Sequence, residues 1–150
     1  MLTKNFNFIN ILLIEDNDAD VELIKEALDN EDIINRMSIV NDGEEALYYL
    51  EKKHPYEKTI TPDIIILDLN LPKIDGREVL RIIKRSKKFK MIPVIILSTS
   101  DSEEDINKTY NMHANCYIKK PIDFNSFKQI VENIKSFWLS SVCLPVPKKE

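Results

Sequence analysis

Cysteine is nearly absent from this chain: Cys116 and Cys143 are its only two, and neither lies in a CxxC pair. That excludes a disulfide framework and a metal knuckle, and it suits a reducing, cytoplasmic setting. Long apolar runs are missing as well. None approaches the roughly 20 residues that a transmembrane helix needs, so no membrane association is expected. Met1 to Ile9 lacks a cationic stretch leading into an apolar one and does not read as a secretory signal. Nor is there an excess of basic charge: 21 Lys and Arg stand against 25 Asp and Glu, a formal net charge of −4. Non-specific nucleic-acid binding, which depends on cations neutralising phosphates, is not expected of such a chain.

What remains describes an ordinary globular domain. Apolar residues at 43% and charged residues at 31% lie near the averages for soluble proteins, and 150 residues suit a single core. Four short apolar runs are almost unbroken: Ile11–Ile14, Ile64–Leu67, Val94–Leu97 and a weaker one at Cys116–Ile118. Strands of this kind are covered on both faces, as in a parallel sheet wrapped by helices. Ser38–Val40 reads as a further, shorter strand near an edge. Helical stripes lie between them, at Val21–Leu28, Ala46–Leu50, Val79–Ile83 and Phe124–Trp138. Ser102 with Asp105 has the spacing of a capping box, and Asp123 suits a helix N-cap. Gly43 and Gly76 fall where the second and third helices should begin. The order predicts an α/β fold, a doubly wound five-stranded parallel sheet of (βα)5 type. Residues 1–140 are expected to form the domain and 141–150 an extended tail, because Pro145 and Pro147 cannot continue a helix.

In open sheets of this kind, functional groups gather at the C-terminal ends of the strands. There the sequence puts Glu15 and Asp16 after the first strand, Asp68 after the third, Ser98 at the end of the fourth and Lys120 at the end of the fifth. Two carboxylates about 5 Å apart repel by roughly 3 kcal/mol at an effective dielectric near 20. Three therefore call for a cation, and all-oxygen ligands favour Mg²⁺ or a similar hard ion. A phosphate-cradling loop is the rival at this edge, but Glu15–Asp20 is acidic and contains no glycine, so it would repel a phosphate. No organic cofactor is expected.

The segments Ile11–Asn17, Ile64–Pro72 with Asp75 and Gly76, Pro93–Ser98 and Tyr117–Pro121 together resemble response-regulator receiver domains of two-component signalling, over roughly Asn10 to Phe137. The spacing agrees, with Ser98 30 residues after Asp68 and Lys120 22 residues after Ser98. The long connection before Pro62 and the Phe137-Trp138 ending are similar to the phytochrome-partnered single-domain regulators. The resemblance implies a flavodoxin-like fold and a phosphoacceptor switch, not a turnover enzyme. Asp68 would accept a phosphoryl group from a sensor histidine kinase, a phytochrome being one candidate. Asp16, Asp68 and the Asn70 backbone carbonyl would hold Mg²⁺, with Glu15 acting through a bound water. Ser98 and Lys120 would meet the phosphoryl oxygens, and Tyr117 would change rotamer as the Ser98 hydroxyl moves. A cis peptide is implied between Lys120 and Pro121, and Asn115, standing where the family often has Gly, would take a left-handed turn.

Two other functions compete. A haloacid-dehalogenase-type phosphatase also forms an aspartyl phosphate, but it needs a second Asp two residues on, and here that position is Asn70. A degenerate receiver acting only as an interaction module would not need the full set of Asp16, Asp68, Ser98 and Lys120. No effector domain is expected after Trp138, so the downstream partner should be a protein. The last helix carries a wide apolar band that runs to Phe137 and Trp138, with Leu144 and Val146 beyond. A homodimer through the fourth helix, fifth strand, fifth helix and tail is expected; the alternative is that Trp138 folds back on its own domain.

Overall fold

The computed structural model describes residues 8–29 and 35–146. Five strands, β1 (Ile9–Ile14), β2 (Asn35–Val40), β3 (Ile64–Leu67), β4 (Val94–Ser98) and β5 (Cys116–Lys119), alternate with five helices. These are α1 (Asp18–Leu28), α2 (Gly43–Glu51), α3 (Gly76–Arg85), α4 (Glu103–Asn111) and α5 (Phe124–Ser136). The sheet is parallel throughout, in the order β2-β1-β3-β4-β5. The strand order reverses between β1 and β3, which opens a crevice at their C-terminal ends.

Alternation along each strand divides the apolar runs between two cores. Leu12, Ile14, Ile65, Leu67, Val94 and Ile96 pack with Ala46 and Leu50 of α2 and Val79, Leu80 and Ile83 of α3. Ile11, Leu13, Ile64, Ile66, Ile95 and Leu97 pack with Val21, Ile24 and Leu28 of α1 and Phe127, Val131 and Ile134 of α5. Each such side chain is worth about 1.5–3 kcal/mol when buried, so from Ile11 onward in β1, and throughout β3 and β4, no polar residue occurs before the C-terminal end. Every helix opens on a side-chain cap: Asn17, Asp42, Asp75, Ser102 and Asp123 each accept a backbone N–H of the first turn.

Several expectations are corrected. The second strand does lie at an edge but spans six residues, because its outer half needs backbone pairing with β1 rather than apolar side chains. Ser102 caps α4, yet Asp105 does not return the bond to complete a box: its carboxylate is taken by Arg77. Asn115 is not left-handed; His113 takes that conformation, with φ 70°. The Asn115 side chain instead accepts from the Val94 N–H and the Lys84 ammonium. Residues Phe137–Ser141 form a π-helical turn, which adds a residue per turn and rotates Leu139 into the core beside α1 and α5. Trp138 and Leu144 pack against the same core, so Trp138 folds back on its own domain and Phe137 alone of the pair stays exposed. Of the expected tail, residues 147–150 lie outside the described residues.

Gly76 lets α3 begin directly against the segment that follows β3. A Cβ there would lie 2.3 Å from the Asp68 carbonyl oxygen and 2.6 Å from Leu69 Cα. Such an overlap with backbone cannot be relieved by a rotamer change. Gly76→Ala, which helix propensity alone would favour, is expected to cost about 1–3 kcal/mol. Urea unfolding checks it: a midpoint that stays or rises refutes the close approach.

Candidate functional site

The C-terminal end of β1 delivers Glu15, whose N–H bonds the Val40 carbonyl, and the chain then turns outward through Asp16 to the Asn17 cap. Asp68 follows β3, with its N–H on the Ile14 carbonyl, so the two acidic strand ends are tied side by side. Glu15, Asp16 and Asp68 can each offer a carboxylate oxygen within 4.8 Å of the others. Glu15 and Asp68 are buried while Asp16 is exposed, leaving the cluster open on one side.

Lys120 comes in from β5. Its backbone N–H donates to the Ser98 carbonyl at 2.7 Å, and its side chain is 4% exposed. The ammonium donates to Glu15 Oε2 at 2.7 Å, Asp20 Oδ2 at 2.9 Å and Asp68 Oδ2 at 3.3 Å. Burial works against the Lys120 charge, but the Glu15 and Asp20 hydrogen bonds and the Glu15 and Asp68 charges outweigh it, holding its pKa above the ordinary lysine value. Burial pushes the Glu15 carboxyl up to about 7; the Lys120 hydrogen bond opposes that rise and the Asp68 charge adds to it. Both Glu15 oxygens already have protein donors, Lys120 on Oε2 and the Asn17 N–H on Oε1. Three carboxylates thus meet one ammonium, and a fourth, Asp16, lies beside Glu15 and Asp68. The donor set is all oxygen, negative and open to solvent at Asp16, which fits a hard divalent cation.

The remaining expected residues sit around this centre. Asn70, exposed, gives its N–H to Asp68 Oδ1 at 3.3 Å. Ser98 is fully buried, and its hydroxyl oxygen accepts the Ser100 N–H at 3.2 Å. The half-buried Tyr117 donates its hydroxyl to the Ser100 carbonyl at 2.7 Å. Lys120–Pro121 is a trans peptide; the cis bond among the described residues is His54–Pro55.

Three residues around the site were not read as part of it from the sequence. Asp20 is the third carboxylate on Lys120, and its signal lay in the acidic run after β1. Asp105 and Arg77 form the others. The guanidinium spans both Asp105 oxygens at 2.7 and 2.8 Å, a fork-on-fork pair. Asp105 also accepts the Ser100 hydroxyl at 2.7 Å, and Arg77 with Ser100 holds its carboxyl well below the usual carboxylate range. Ser98, Ser100, Tyr117, Asp105 and Arg77 thus form one connected set reaching from the site to α3, α4 and β5.

A family model described as response regulator receiver domain matches residues 11–132. The response regulator Rcp1 of Synechocystis sp. is 44% identical over 135 residues, covering 90% of this chain and 92% of that protein. The crystal structure of its Mn²⁺-bound form superposes with a TM-score of 0.90 at 43% identity, over 91% of this chain and 99% of that one. The phosphorylated cyanobacterial phytochrome response regulator RcpA gives a TM-score of 0.91 at 48% identity, over 93% and 100%.

The crowded carboxylates generate an expectation for stability. At up to 4.8 Å, each pair repels by a few kcal/mol at a dielectric near 20, less for the exposed Asp16. Asp16→Asn should therefore raise the melting temperature of the metal-free protein by a few degrees. It should also shrink the stabilisation given by millimolar divalent cation. Calorimetry with and without the cation checks both; a wild-type melt indifferent to it refutes the cation site.

Proposed function

We propose that this chain, which belongs to the response regulator receiver domain family, works as a single-domain regulator that accepts a phosphoryl group on Asp68. The observation that carries this reading is the buried Lys120 ammonium in contact with Asp68 at the open, acidic end of the sheet. Asp16 and Asp68 would ligate Mg²⁺ directly with the Asn70 carbonyl. Glu15, whose two oxygens are engaged, would act through water. The cation supplies charge neutralisation for the phosphoryl oxygens as the bond to Asp68 forms. That Rcp1 has a Mn²⁺-bound form and RcpA a phosphorylated one supports both parts of the reading.

An Asp68 carboxylate oxygen attacks phosphorus, and the bond to the donor breaks with its electron pair leaving on the donor. Lys120 turns its longest hydrogen bond, the one to Asp68, toward a phosphoryl oxygen. Ser98 meets another phosphoryl oxygen with its hydroxyl, giving up the Ser100 N–H it accepts at rest. Ser100 carries the Tyr117 and Asp105 contacts, so its release biases β5 and α4 together, a two-state element read by a partner. The donor is a sensor histidine kinase, with a phytochrome kinase the first to try because RcpA is a phytochrome response regulator. With Asn70 where a phosphatase would have its general acid, we read the chain as a switch rather than a turnover enzyme. Among the described residues no helix is long and apolar enough to cross a membrane, and a cytoplasmic site of action is part of the proposal. With acetyl phosphate and Mg²⁺, intact-mass spectra should show one added phosphoryl group on the wild type and none on Asp68→Asn. Equal labelling of the two would place the acceptor elsewhere.

Self-association belongs to the same reading. Ile122, Phe124 and Phe137 remain exposed although Trp138 is partly buried. They lie at the two ends of α5, and we read Phe137, the one beside the partly buried Trp138, as the interface residue. Truncation after Ser136 would remove the buried Leu139 and unsettle the core, so Phe137→Glu is the cleaner probe. Sedimentation should show a wild-type dimer and a monomeric variant; a monomeric wild type, or a variant that dimerises fully, refutes the interface.

A further inference from the structure

We infer that Asp20 is a positioning residue for the phosphoryl transfer: it holds the Lys120 ammonium partly off Asp68, so that the nucleophile stays free until a phosphoryl oxygen claims that donor. The inference rests on the phosphoacceptor reading of Asp68 and goes beyond it, to a residue outside the acceptor, the cation cluster and the Ser98–Tyr117 pair.

An ammonium has three N–H donors, and those of Lys120 face three carboxylates. The two shorter bonds go to Glu15 and Asp20, at 2.7 and 2.9 Å, and the longest, 3.3 Å, to Asp68. Asp20 differs from the other two partners. It stands on the first turn of α1 rather than at a strand end, its side chain is 26% exposed, and it is not one of the three carboxylates that could share a cation. Cation binding therefore leaves its bond to Lys120 in place. Its position is set locally by Asn17, whose side chain accepts the Asp20 N–H at 2.9 Å while its own N–H holds Glu15 Oε1 at 3.1 Å. One cap residue thus registers both of the carboxylates that grip Lys120.

Without Asp20 the buried ammonium would have only Glu15 and Asp68 to satisfy it, and it would close on Asp68. A carboxylate in a tight ion pair has less electron density to offer an electrophile and must break that pair to reach phosphorus. With Asp20 present, the Glu15 and Asp20 bonds act as the fixed pair. The third N–H swings from Asp68 to the new phosphoryl oxygen as the O–P bond forms and acetate leaves acetyl phosphate with its electron pair.

The test uses the full chain with acetyl phosphate and Mg²⁺, following mass addition over time. Asp20→Asn should be labelled roughly tenfold more slowly, the size expected for losing one charge-assisted hydrogen bond, and Asp20→Glu should recover most of the rate. Asp18→Asn removes the same charge from the same helical turn without touching Lys120 and should label like wild type, which separates the effect from the helix dipole. In a Lys120→Met background, Asp20→Asn should change nothing further. A second readout needs no metal: in urea unfolding of the metal-free proteins, the Asp20→Asn and Lys120→Met effects should be non-additive. Wild-type labelling rates in Asp20→Asn, an Asp20→Asn defect that persists in Lys120→Met, or strict additivity in the metal-free cycle would overturn the inference. An unlabelled wild type would instead strike the phosphoacceptor reading, and this inference would fall with it.

Discussion

A buried lysine ammonium is costly unless carboxylates meet it, and buried carboxylates are costly unless a cation meets them. The site is built on that mutual dependence. Lys120 is buried because Glu15, Asp20 and Asp68 surround it, and Glu15 and Asp68 are buried because Lys120 lies between them. The four groups come from β1, α1, β3 and the end of β5, so one set of ion pairs ties together both sides of the strand-order reversal. The compensation is incomplete by design of the charges, with acid in excess around a single ammonium. That excess of negative oxygen ligands suits a hard divalent cation.

Reading from the sequence succeeded where the physics is local. Unbroken apolar runs located β1, β3 and β4, because strands covered on both faces have no place for polar side chains. The strand ends followed, and with them Glu15, Asp16, Asp68, Ser98 and Lys120. Residues whose role depends on a partner far along the chain were not legible. Asp20 needs Lys120, 100 positions away, and helix phase alone did not say that it faces the sheet edge. Asp105 had the spacing of a capping partner, and only the approach of α3 to α4 shows that Arg77 takes it. Leu139 went unread for a different reason. A regular helix continued past Ser136 would keep Trp138 on the face of Phe127, Val131 and Ile134 but turn Leu139 away, whereas the π-helical turn resets the phase and brings Leu139 into the core. Backbone irregularity of that kind leaves no clear mark in side-chain periodicity.

The same distinction bears on how a change at Asp68 could travel. The helices α1 and α5 are held by apolar contact with the sheet, but α4 buries Thr109 alone. What fastens its first turn is polar: the Arg77–Asp105 fork and the Ser100 hydroxyl on Asp105. Apolar packing is non-directional and tolerates small shifts, while a fork-on-fork pair is lost over a fraction of an ångström. A helix held mainly by directional bonds can move as a unit when one of them is exchanged. The Ser100 backbone is where that exchange would start, since its N–H faces Ser98 and its carbonyl faces Tyr117.

The chain has only two glycines, and both stand where backbone meets backbone around the loop after β3. Gly76 passes the Asp68 carbonyl, and a Cβ on Gly43 would lie 2.0 Å from the Ile74 carbonyl oxygen. Their N–H groups donate to Leu69 and Pro72, respectively, within that same loop. The residues following Asp68 are thus clamped by the starts of two helices, and neither contact leaves room for a side chain. A rigid loop on this side sets Asp68 in place against Lys120. The β4–α4 segment on the other side of the site is held by exchangeable hydrogen bonds. The exchangeable bonds thus lie on the side of α4 and β5, away from the clamped loop after β3.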